Sequence, residues 1–544
     1  MDNMLKKNDI IELEISGLTN EGCGVGKLDG LVIFVPFTAV GDKLKVRIIK
    51  VNKSHCYGKL EEIITPSPDR IKPDCAAFGK CGGCDFRHIS YEAELRAKDT
   101  FVRDAFTRIG GLNPEFLPII PNCTVNNYRN KAQYPVRKNE NGETECGFFA
   151  GRSHRIIPCD ECKLERPIFG EIKKFILEFA KENKISAYNE PEHSGVLRHI
   201  CIRQGHYSEE TNVTLVVRRF VPQLKTLASA LSRKFPEIKS IIANINKEKT
   251  NVIYGNEERL LFGTATITDT MCEKKFSVSP LSFYQVNTPM AEVLYKKAAE
   301  LAEPDGKTII DLYCGAGTIG LTMADRAKSV IGVEIVENAI VNAEENARLN
   351  NAENVRFLCG DAGEATDILI SEGVKADVVI VDPARKGCDE RTLGNIIKFA
   401  PERVVMVSCN AVTAARDCSY LEKNGYKCVS VQGVDLFSRT SHVEAVVLLS
   451  KLKSTHHIEV ELKTDELDLT SAESKATYDE IKTYVKEHTG LTISSLNIAQ
   501  VKQKCGIIER ENYNKAKSKD SRQPKCTKEK EAAIIEALEF FKMI

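Results

Sequence analysis

Five short segments of this sequence carry side chains that can do chemistry. Val407-Ser408-Cys409-Asn410 sets a thiol at the end of an apolar run, RVVMVSC. A strand-end cysteine in a cleft is a nucleophile once something favours its thiolate, since a free thiol is only slightly ionised near neutral pH. Val381-Asp382-Pro383-Ala-Arg385-Lys386-Gly387 ends a second apolar run, and Ser441-His442-Val443-Glu444 enters a third. A carboxylate facing the same cleft as Cys409 can act as a general base. Taken singly, Cys409 reads as a buried core residue. Cys409, Asp382 and Glu444 at strand ends of one nucleoside-binding sheet reverse that reading.

The fourth segment, Asp311-Leu-Tyr313-Cys-Gly315-Ala-Gly317-Thr-Ile-Gly320, follows an apolar strand and opens a helix. As a bare glycine pattern it suits nicotinamide and flavin proteins equally. Its neighbours narrow the ligand. Glu334 ends the next strand, where a carboxylate can accept both hydroxyls of a ribose. Asp361 ends the strand after that, where it meets an adenine edge or binds nothing. All lie at C-terminal strand ends, the ligand edge of an open α/β sheet. These positions fit S-adenosylmethionine. The fifth segment, Cys75-x5-Cys81-Gly-Gly-Cys84, gathers three thiols, with two glycines that let the backbone wrap closely. That suits an iron–sulfur cluster or a tetrahedral zinc ion. A fourth thiolate must come from elsewhere, and IIPCDECKLERP offers Cys159 and Cys162. The spacing is not the CxxxCxxC of radical S-adenosylmethionine enzymes.

These side chains need elements to place them. From Lys307 onward, TIIDLYC, SVIGVEI, VRFLCGD, ADVVIVDP, RVVMVSC and EAVVLLS alternate with helical stretches. Continuous apolar strands separated by helices predict a parallel sheet covered on both faces. Residues 6–64 read as five short strands with glycine-rich turns. That pattern fits an OB-like barrel, a common oligonucleotide surface, or a barrel with another role. ITPSPDRIKPDC is a proline-rich linker, and YEAELRAKDTFVRDAFTRIGG is a helix stopped by Gly110-Gly111. Residues 115–270 read as mixed α+β, with a strand in TLVVRRF and a helix in GEIKKFILEFAKEN. Beyond residue 454 the chain turns polar, with a net charge of −3 over 451–500 and +6 over 501–530. Two helices are expected there, in TYDEIKTYVKEHTG and KEKEAAIIEALEFFK, with a shorter one between them and a basic loop at NYNKAKSKDSRQPK. That loop is either a solvated linker or a nucleic-acid contact.

Composition bounds the rest. The 544 residues are 42% hydrophobic and 28% charged, which suits several ordinary cores and excludes wholesale disorder. No apolar run is long enough to span a bilayer, and no apolar stretch follows the N-terminal charges. A cytoplasmic location is expected, without membrane contact. The nineteen cysteines then stand in a reducing compartment and are mostly buried apolar residues, such as Cys201 and Cys428. Lys plus Arg balances Asp plus Glu at 76 each, so any electrostatic case for nucleic acid is local.

DLYCGAGTIGL, GVE, VDPARKG, VSCN and DLFSRTSHVE, in this order, resemble the RumA/TrmA family of RNA uracil-5-methyltransferases. SPLSFYQVN, YRNKAQYPV with Arg129, and GFFAGRSHRII match as well, and the resemblance covers about residues 6–452. It implies a Rossmann-like class I methyltransferase domain over 281–453 with a mostly parallel seven-stranded sheet. It also implies an N-terminal TRAM barrel over 6–65 and a central α+β iron–sulfur domain over 70–280, with the helical stretch 91–111 packing on the catalytic domain. Residues 455–544 are left as an appended helical module, outside the core family and a candidate extra RNA contact.

The resemblance implies that Cys409 adds to C6 of uracil, that C5 then takes a methyl group from S-adenosylmethionine, and that Glu444 removes the C5 proton. The uridine must leave its stack to reach Cys409. Asp382 holds the uracil or the methyl donor, and Gln285, Tyr313 and Glu334 bind the donor with Asp361, Gly315 and Gly317. Family members acting on 23S ribosomal RNA hold a 4Fe-4S cluster with CxxxxxCxxC and a later Cys-x-Leu, here Cys75, Cys81, Cys84 and Cys162; members acting on tRNA commonly lack them. Large-subunit rRNA is therefore the expected substrate, with no protein partner implied. Ala411 and Ser438 stand where the family usually has proline. Two other classes are a non-catalytic RNA-binding protein, which has no use for Cys409 and Glu444, and an iron–sulfur oxidoreductase, which has none for Asp382 and Cys409.

Overall fold

The computed structural model describes residues 5–139, 141–151, 153–452, 478–505, 526–541 and 543. They fall into two compact units, Met1–Lys453 and Ser454–Ile544.

The first unit opens with β1 (Ile10–Leu18), β2 (Cys23–Leu28), β3 (Leu31–Pro36), β4 (Lys43–Val51) and β5 (His55–Thr65). They close a barrel in the order β1-β2-β3-β5-β4. Side chains alternate across each strand, so Leu13, Ile15, Ile33, Val35, Leu44, Val46 and Ile48 fill the inside. Next come α1 (Tyr91–Asp104), capped by Ser90 and ending in a wider π-type turn over Ala105–Ile109, and β6 (Glu115–Ile120).

A second sheet joins β7 (Lys131–Lys138), β8 (Thr144–Phe149), β9 (Ile156–Pro158), β10 (Leu197–Gln204), β11 (Thr211–Val217), β12 (Ile238–Ile245) and β13 (Glu257–Gly263). Its apolar side chains share one core with α2 (Pro167–Glu182) and α3 (Gln223–Lys234). A hairpin, β14 (Ile267–Met271) and β15 (Lys274–Val278), leads into α4 (Thr288–Ala302). Met271 and Phe276 of the hairpin pack in the same core as α4 and the sheet that follows.

That third sheet is built from β16 (Thr308–Leu312), α5 (Thr318–Met323), β17 (Ser329–Glu334), α6 (Glu337–Leu349), β18 (Val355–Cys359), α7 (Ala362–Ser371), β19 (Val378–Val381), α8 (Glu390–Phe399), β20 (Arg403–Ser408), α9 (Ala411–Lys423), β21 (Tyr426–Val434) and β22 (Glu444–Lys451). Separate apolar cores cover its two faces, as continuous apolar strands require. Its order is β18-β17-β16-β19-β20-β22-β21-β6. The sheet therefore has eight strands, not the expected seven. The extra one, β6, lies in sequence before the central sheet and pairs parallel to β21, with Val431 opposite Phe116. The reason is burial: Val102, Ala105, Phe106 and Leu112, which lead to β6, sit in the core beneath β20–β22 with Val404, Val447 and Leu449.

The second unit holds α10 (Tyr478–Thr489), α11 (Ser495–Lys504) and α12 (Lys528–Phe540) around a core of Ile481, Val485, Ile498, Val501, Ile534 and Leu538. The expected basic loop at NYNKAKSKDSRQPK lies outside the described residues. Among the described residues no helix is long and apolar enough to cross a membrane.

Candidate active site

Strand order explains why distant motifs meet. The chain runs β16-β17-β18 in one direction along the sheet, then returns to β19 beside β16. That reversal is a topological switch point, where the C-terminal strand ends leave a crevice. Leu312 pairs with Val381, so Tyr313 and Asp382 leave their strands side by side. Leu312 also pairs with Val333, which puts Glu334 on the other flank, and Glu334 pairs with Cys359 two residues before Asp361. Ser408 pairs with Ala445, so Cys409 faces Glu444 across β20 and β22. Read along this edge, the order is Asp361, Glu334, Tyr313, Asp382, Cys409, Glu444, with neighbouring strands about 5 Å apart.

The last three form one electrostatic group. Glu444 is only 4% exposed. Burial, then the charge of Asp382, push its carboxyl up to about 8, against the pull of Arg385. Burial lifts Asp382 to about 7. Burial and the nearby Glu444 and Asp382 lift the half-buried Cys409 thiol to about 11, and Arg385 opposes them. Burial thus favours the protonated forms of Glu444 and Cys409 at neutral pH.

The glycine turn is shaped to take a ligand against its backbone. Tyr313, Gly315 and Gly317 have φ of 65°, 55° and 79°. Gly317 is the cap residue before α5, and a β-carbon there would stand 3.0 Å from the Phe357 ring. Glu334 accepts from Gly315 N at 3.2 Å and from Val336 N at 2.9 Å, so its carboxylate already faces the turn. Below it, Asp311 accepts from Gly320 N at 2.9 Å, and its other oxygen is buried without a partner. Asp361 is exposed and caps α7 through Gly363 N at 3.0 Å. Gln285 is buried, and its main-chain carbonyl accepts from the Asn130 side-chain amide at 2.9 Å. Asn287, the cap of α4, donates to Leu436 O at 2.9 Å and so ties the Gln285 segment to the loop before Glu444.

Cys409 opens into a cavity of about 500 Å³ whose walls include Asn20, Glu21 and Cys23 of the barrel, Asp85, Arg385 and His442. A second cavity, of about 270 Å³, is lined by Cys75, Cys81, Cys84, Cys159 and Cys162 together with Arg87, Arg129 and Lys131. Burial pushes the Cys81 and Cys84 thiols up to about 11. Cys162 lies near both of them and meets the thiol of Cys159, which itself lies near Cys75 and Cys81. Among the described residues no three His, Cys, Asp or Glu side chains close to the spacing of a single-ion site. The five thiols line one cavity without converging on one point.

Known proteins resemble this chain in sequence and fold. A profile of the tRNA (uracil-5-)-methyltransferase family matches residues 90–452, and a TRAM-domain profile matches residues 5–60. The chain belongs to the RNA uracil-5-methyltransferase family. An uncharacterized RNA methyltransferase of Halalkalibacterium halodurans is 44% identical over 450 residues, which is 82% of this chain and 98% of that protein. One from Clostridium tetani is 43% identical over 451 residues, with the same shares. The crystal structure of Pyrococcus abyssi tRNA (uracil-54, C5)-methyltransferase in complex with S-adenosyl-L-homocysteine is 28% identical, has a TM-score of 0.66, and covers 81% of this chain and 100% of its own. The family match ends at residue 452, just before the second compact unit begins.

Membership of the uracil-5-methyltransferase family puts the two missing prolines in context. Ala411 is the first residue of α9, where proline is favoured but needed for no hydrogen bond. Asn410 supplies the cap instead, accepting from Val412 N at 3.1 Å while donating to Arg385 O at 2.9 Å. Ser438 is fully buried, donates to Asp435 at 2.7 Å and accepts from Asn122 at 2.8 Å. Its hydroxyl braces the loop that a proline would stiffen.

Two residues of the site escaped the sequence. Arg385 stood inside VDPARKG without a role, yet it opposes burial at both Cys409 and Glu444. Tyr295 reads as an apolar residue on one face of α4. Its buried hydroxyl lies 3.3 Å from that of Thr318 and beside Gln285, Asp382 and Glu444. No pattern in the sequence marks it.

Proposed function

We propose that this chain methylates C5 of uridine in 23S ribosomal RNA, using S-adenosylmethionine. The observation that carries the reading is the ordered strand edge, with a nucleoside-binding half from Asp361 to Tyr313 and a reacting half from Asp382 to Glu444. Gly315, Gly317, Tyr313, Glu334 and Gln285 would hold the methyl donor, with the outer oxygen of Asp361 toward the adenine. The φ values of the turn and the cradle at Gly317 fit that ligand. Bound there, S-adenosylmethionine supplies an electrophilic methyl group. Cys409 adds to C6 of the extruded uracil, and the electron pair displaced onto the ring makes C5 nucleophilic. Once C5 carries the methyl group, Glu444 takes its proton, and the freed pair expels the Cys409 thiolate. Asp382, between the two halves, orients uracil or donor.

Cys75, Cys81, Cys84 and Cys162 would hold a 4Fe-4S cluster. A wall of thiols beside Arg87, Arg129 and Lys131 suits an anionic cluster with one thiolate per iron. The cluster would shape the RNA-binding surface and perform no redox step. This cysteine set favours ribosomal RNA. The similarity to an archaeal tRNA enzyme supports tRNA as the second reading. Residues 455–544 are read as a further RNA contact, in keeping with the local charge of +6 over 501–530.

The deciding experiment gives anaerobic enzyme and S-adenosylmethionine to separate pools of unmodified large-subunit rRNA and tRNA. New 5-methyluridine is mapped by mass spectrometry of nuclease fragments. Methylation in rRNA alone, with about four iron atoms per chain, is expected. Methylation in tRNA alone overturns the substrate, and stoichiometric zinc overturns the cluster.

The titration of the site gives a second expectation. Removal of the C5 proton needs an ionised Glu444, and addition needs a Cys409 thiolate. Both groups hold protons above their ordinary range, so kcat rises with pH from 6.5 to 9, with an inflection near the Glu444 value of about 8 where elimination limits turnover. A profile already level at pH 7 would contradict the roles of both groups.

A further inference from the structure

The loop between β21 and β22, Asp435–Val443, delivers Glu444 to the site, and α1 and the cysteine segment both hold it. The first half is fixed by α1. Lys98 donates to Asp435 at 2.6 Å, to Glu94 at 2.7 Å and to Phe437 O at 3.2 Å, and all three charged side chains are fully buried. Tyr91 adds a bond to Asp435 at 2.6 Å.

The half next to Glu444 is held by α1 at Arg439, whose N–H donates to Glu94 at 2.7 Å, and is tied in addition to the cysteine segment. Arg439 O accepts from Asp85 N at 2.9 Å and from Phe86 N at 3.1 Å. Ser441 N donates to the Asp85 carboxylate at 2.9 Å. Asp85 directly follows Cys84, and Ser441 directly precedes His442, whose ring lies 3.3 Å from the Arg385 guanidinium. Asp85, Ser441, His442, Arg385 and Cys409 all face one cavity.

Asp85 has little freedom to drift. Gly22 of the barrel, at φ +79°, comes so close that a β-carbon there would stand 2.8 Å from the Asp85 β-carbon. On the other side Gly82 N donates to Phe149 O at 3.1 Å. Arg87 faces the Cys84 thiol and is itself pinned by Asp74 at 2.7 Å and Asn126 at 3.0 Å. A short stiff path therefore runs from the cysteine cavity through Asp85 to the loop that sets Glu444 opposite Cys409.

We propose that Asp85 is a positioning residue for the Cys409–Glu444 pair and makes the geometry of that pair depend on the state of the cysteine site. The inference rests on the proposed function. The carboxylate acts as an acceptor for one backbone N–H, and its charge is incidental. A displacement near 1 Å at a reacting group costs about 100-fold in rate, so loss of one well-placed tether is felt in turnover rather than in binding.

The test uses full-length anaerobic protein loaded with iron. Asp85→Ala is expected to lower kcat by roughly 30- to 100-fold. The KM for RNA, the affinity for S-adenosylmethionine and the iron content stay as in the unaltered protein. Asp85→Asn keeps an oxygen that can accept from Ser441 N and restores most of the rate. Hydrogen exchange over 436–443 quickens in Asp85→Ala and in Cys84→Ser, and not in Asp85→Asn. Asp85→Ala with full turnover and unchanged exchange overturns the tether. Asp85→Asn as slow as Asp85→Ala overturns the acceptor role, and Cys84→Ser with unchanged exchange overturns the link to the cysteine site. Exchange needs no RNA, so a failure of the proposed reaction would show separately, as unaltered protein that makes no 5-methyluridine.

Discussion

Cys409→Ala is expected to abolish methyl transfer and to leave S-adenosylmethionine binding intact. The size of the loss follows from the chemistry. C5 of uracil is a poor nucleophile until C6 carries an electron-donating adduct, and no other thiol lines the Cys409 cavity except Cys23 on the barrel wall. Losing covalent activation of this kind should cost at least about 10⁴-fold, or roughly 5 kcal/mol of barrier. Binding of the donor should not change, because the glycine turn, Glu334 and Gln285 belong to other elements. The substitution removes one sulfur atom from a half-buried turn whose Asn410 cap stays in place. Single-turnover assays with saturating RNA, beside equilibrium dialysis of the methyl donor, measure both effects. Turnover within tenfold of the unaltered enzyme would remove Cys409 from the mechanism.

Glu444→Gln should stop the same reaction one step later. Glutamine matches glutamate in shape and resembles its protonated form, the form that burial favours below about pH 8. Addition of Cys409 and methylation of C5 do not need the base, whereas elimination does. The enzyme should stay joined to methylated RNA through the Cys409–C6 bond. Turnover should fall by about 10³-fold, and a denaturing gel should show a protein–RNA adduct carrying label from the methyl donor. An adduct that forms no more than in the unaltered enzyme, with turnover intact, would rule Glu444 out as the base.

Much of this site was legible in the sequence because each of its parts sits at a strand end. An apolar strand announces itself, and the first polar residue after it must lie at the sheet edge, so Glu334, Asp361, Asp382 and Cys409 could be placed from pattern alone. Their order along the edge could not, because it depends on strand pairing between segments distant in sequence. Tyr295 and Arg385 were hidden for opposite reasons. Tyr295 lies on a helix face that looks like ordinary core, and Arg385 lies on an exposed loop where a cation is commonplace. The pairing of β6 with β21 had no local signal either, since EFLPII reads equally well as a strand of the central sheet. The cysteines showed the converse limit. The spacing marked Cys75, Cys81 and Cys84 as a set, but that both Cys159 and Cys162 line the same cavity depends on folding that no local pattern announces.

The position of β6 makes the catalytic sheet a structure that the growing chain cannot finish in order. Its edge strand leaves the ribosome before the central sheet is made, and its middle strands leave after it. Ends so far apart pay a loop-closure entropy that local contacts do not offset, which slows closure of the sheet. Until closure, α1 and β6 present Val102, Phe106 and Phe116 to water or to a chaperone. The same wiring bars modular exchange. A fragment beginning at residue 281 would lack β6 and expose the edge of β21 as a template for aggregation. Recombination among relatives can therefore swap the central sheet as an insert, whereas the methyltransferase half does not travel as a C-terminal cassette.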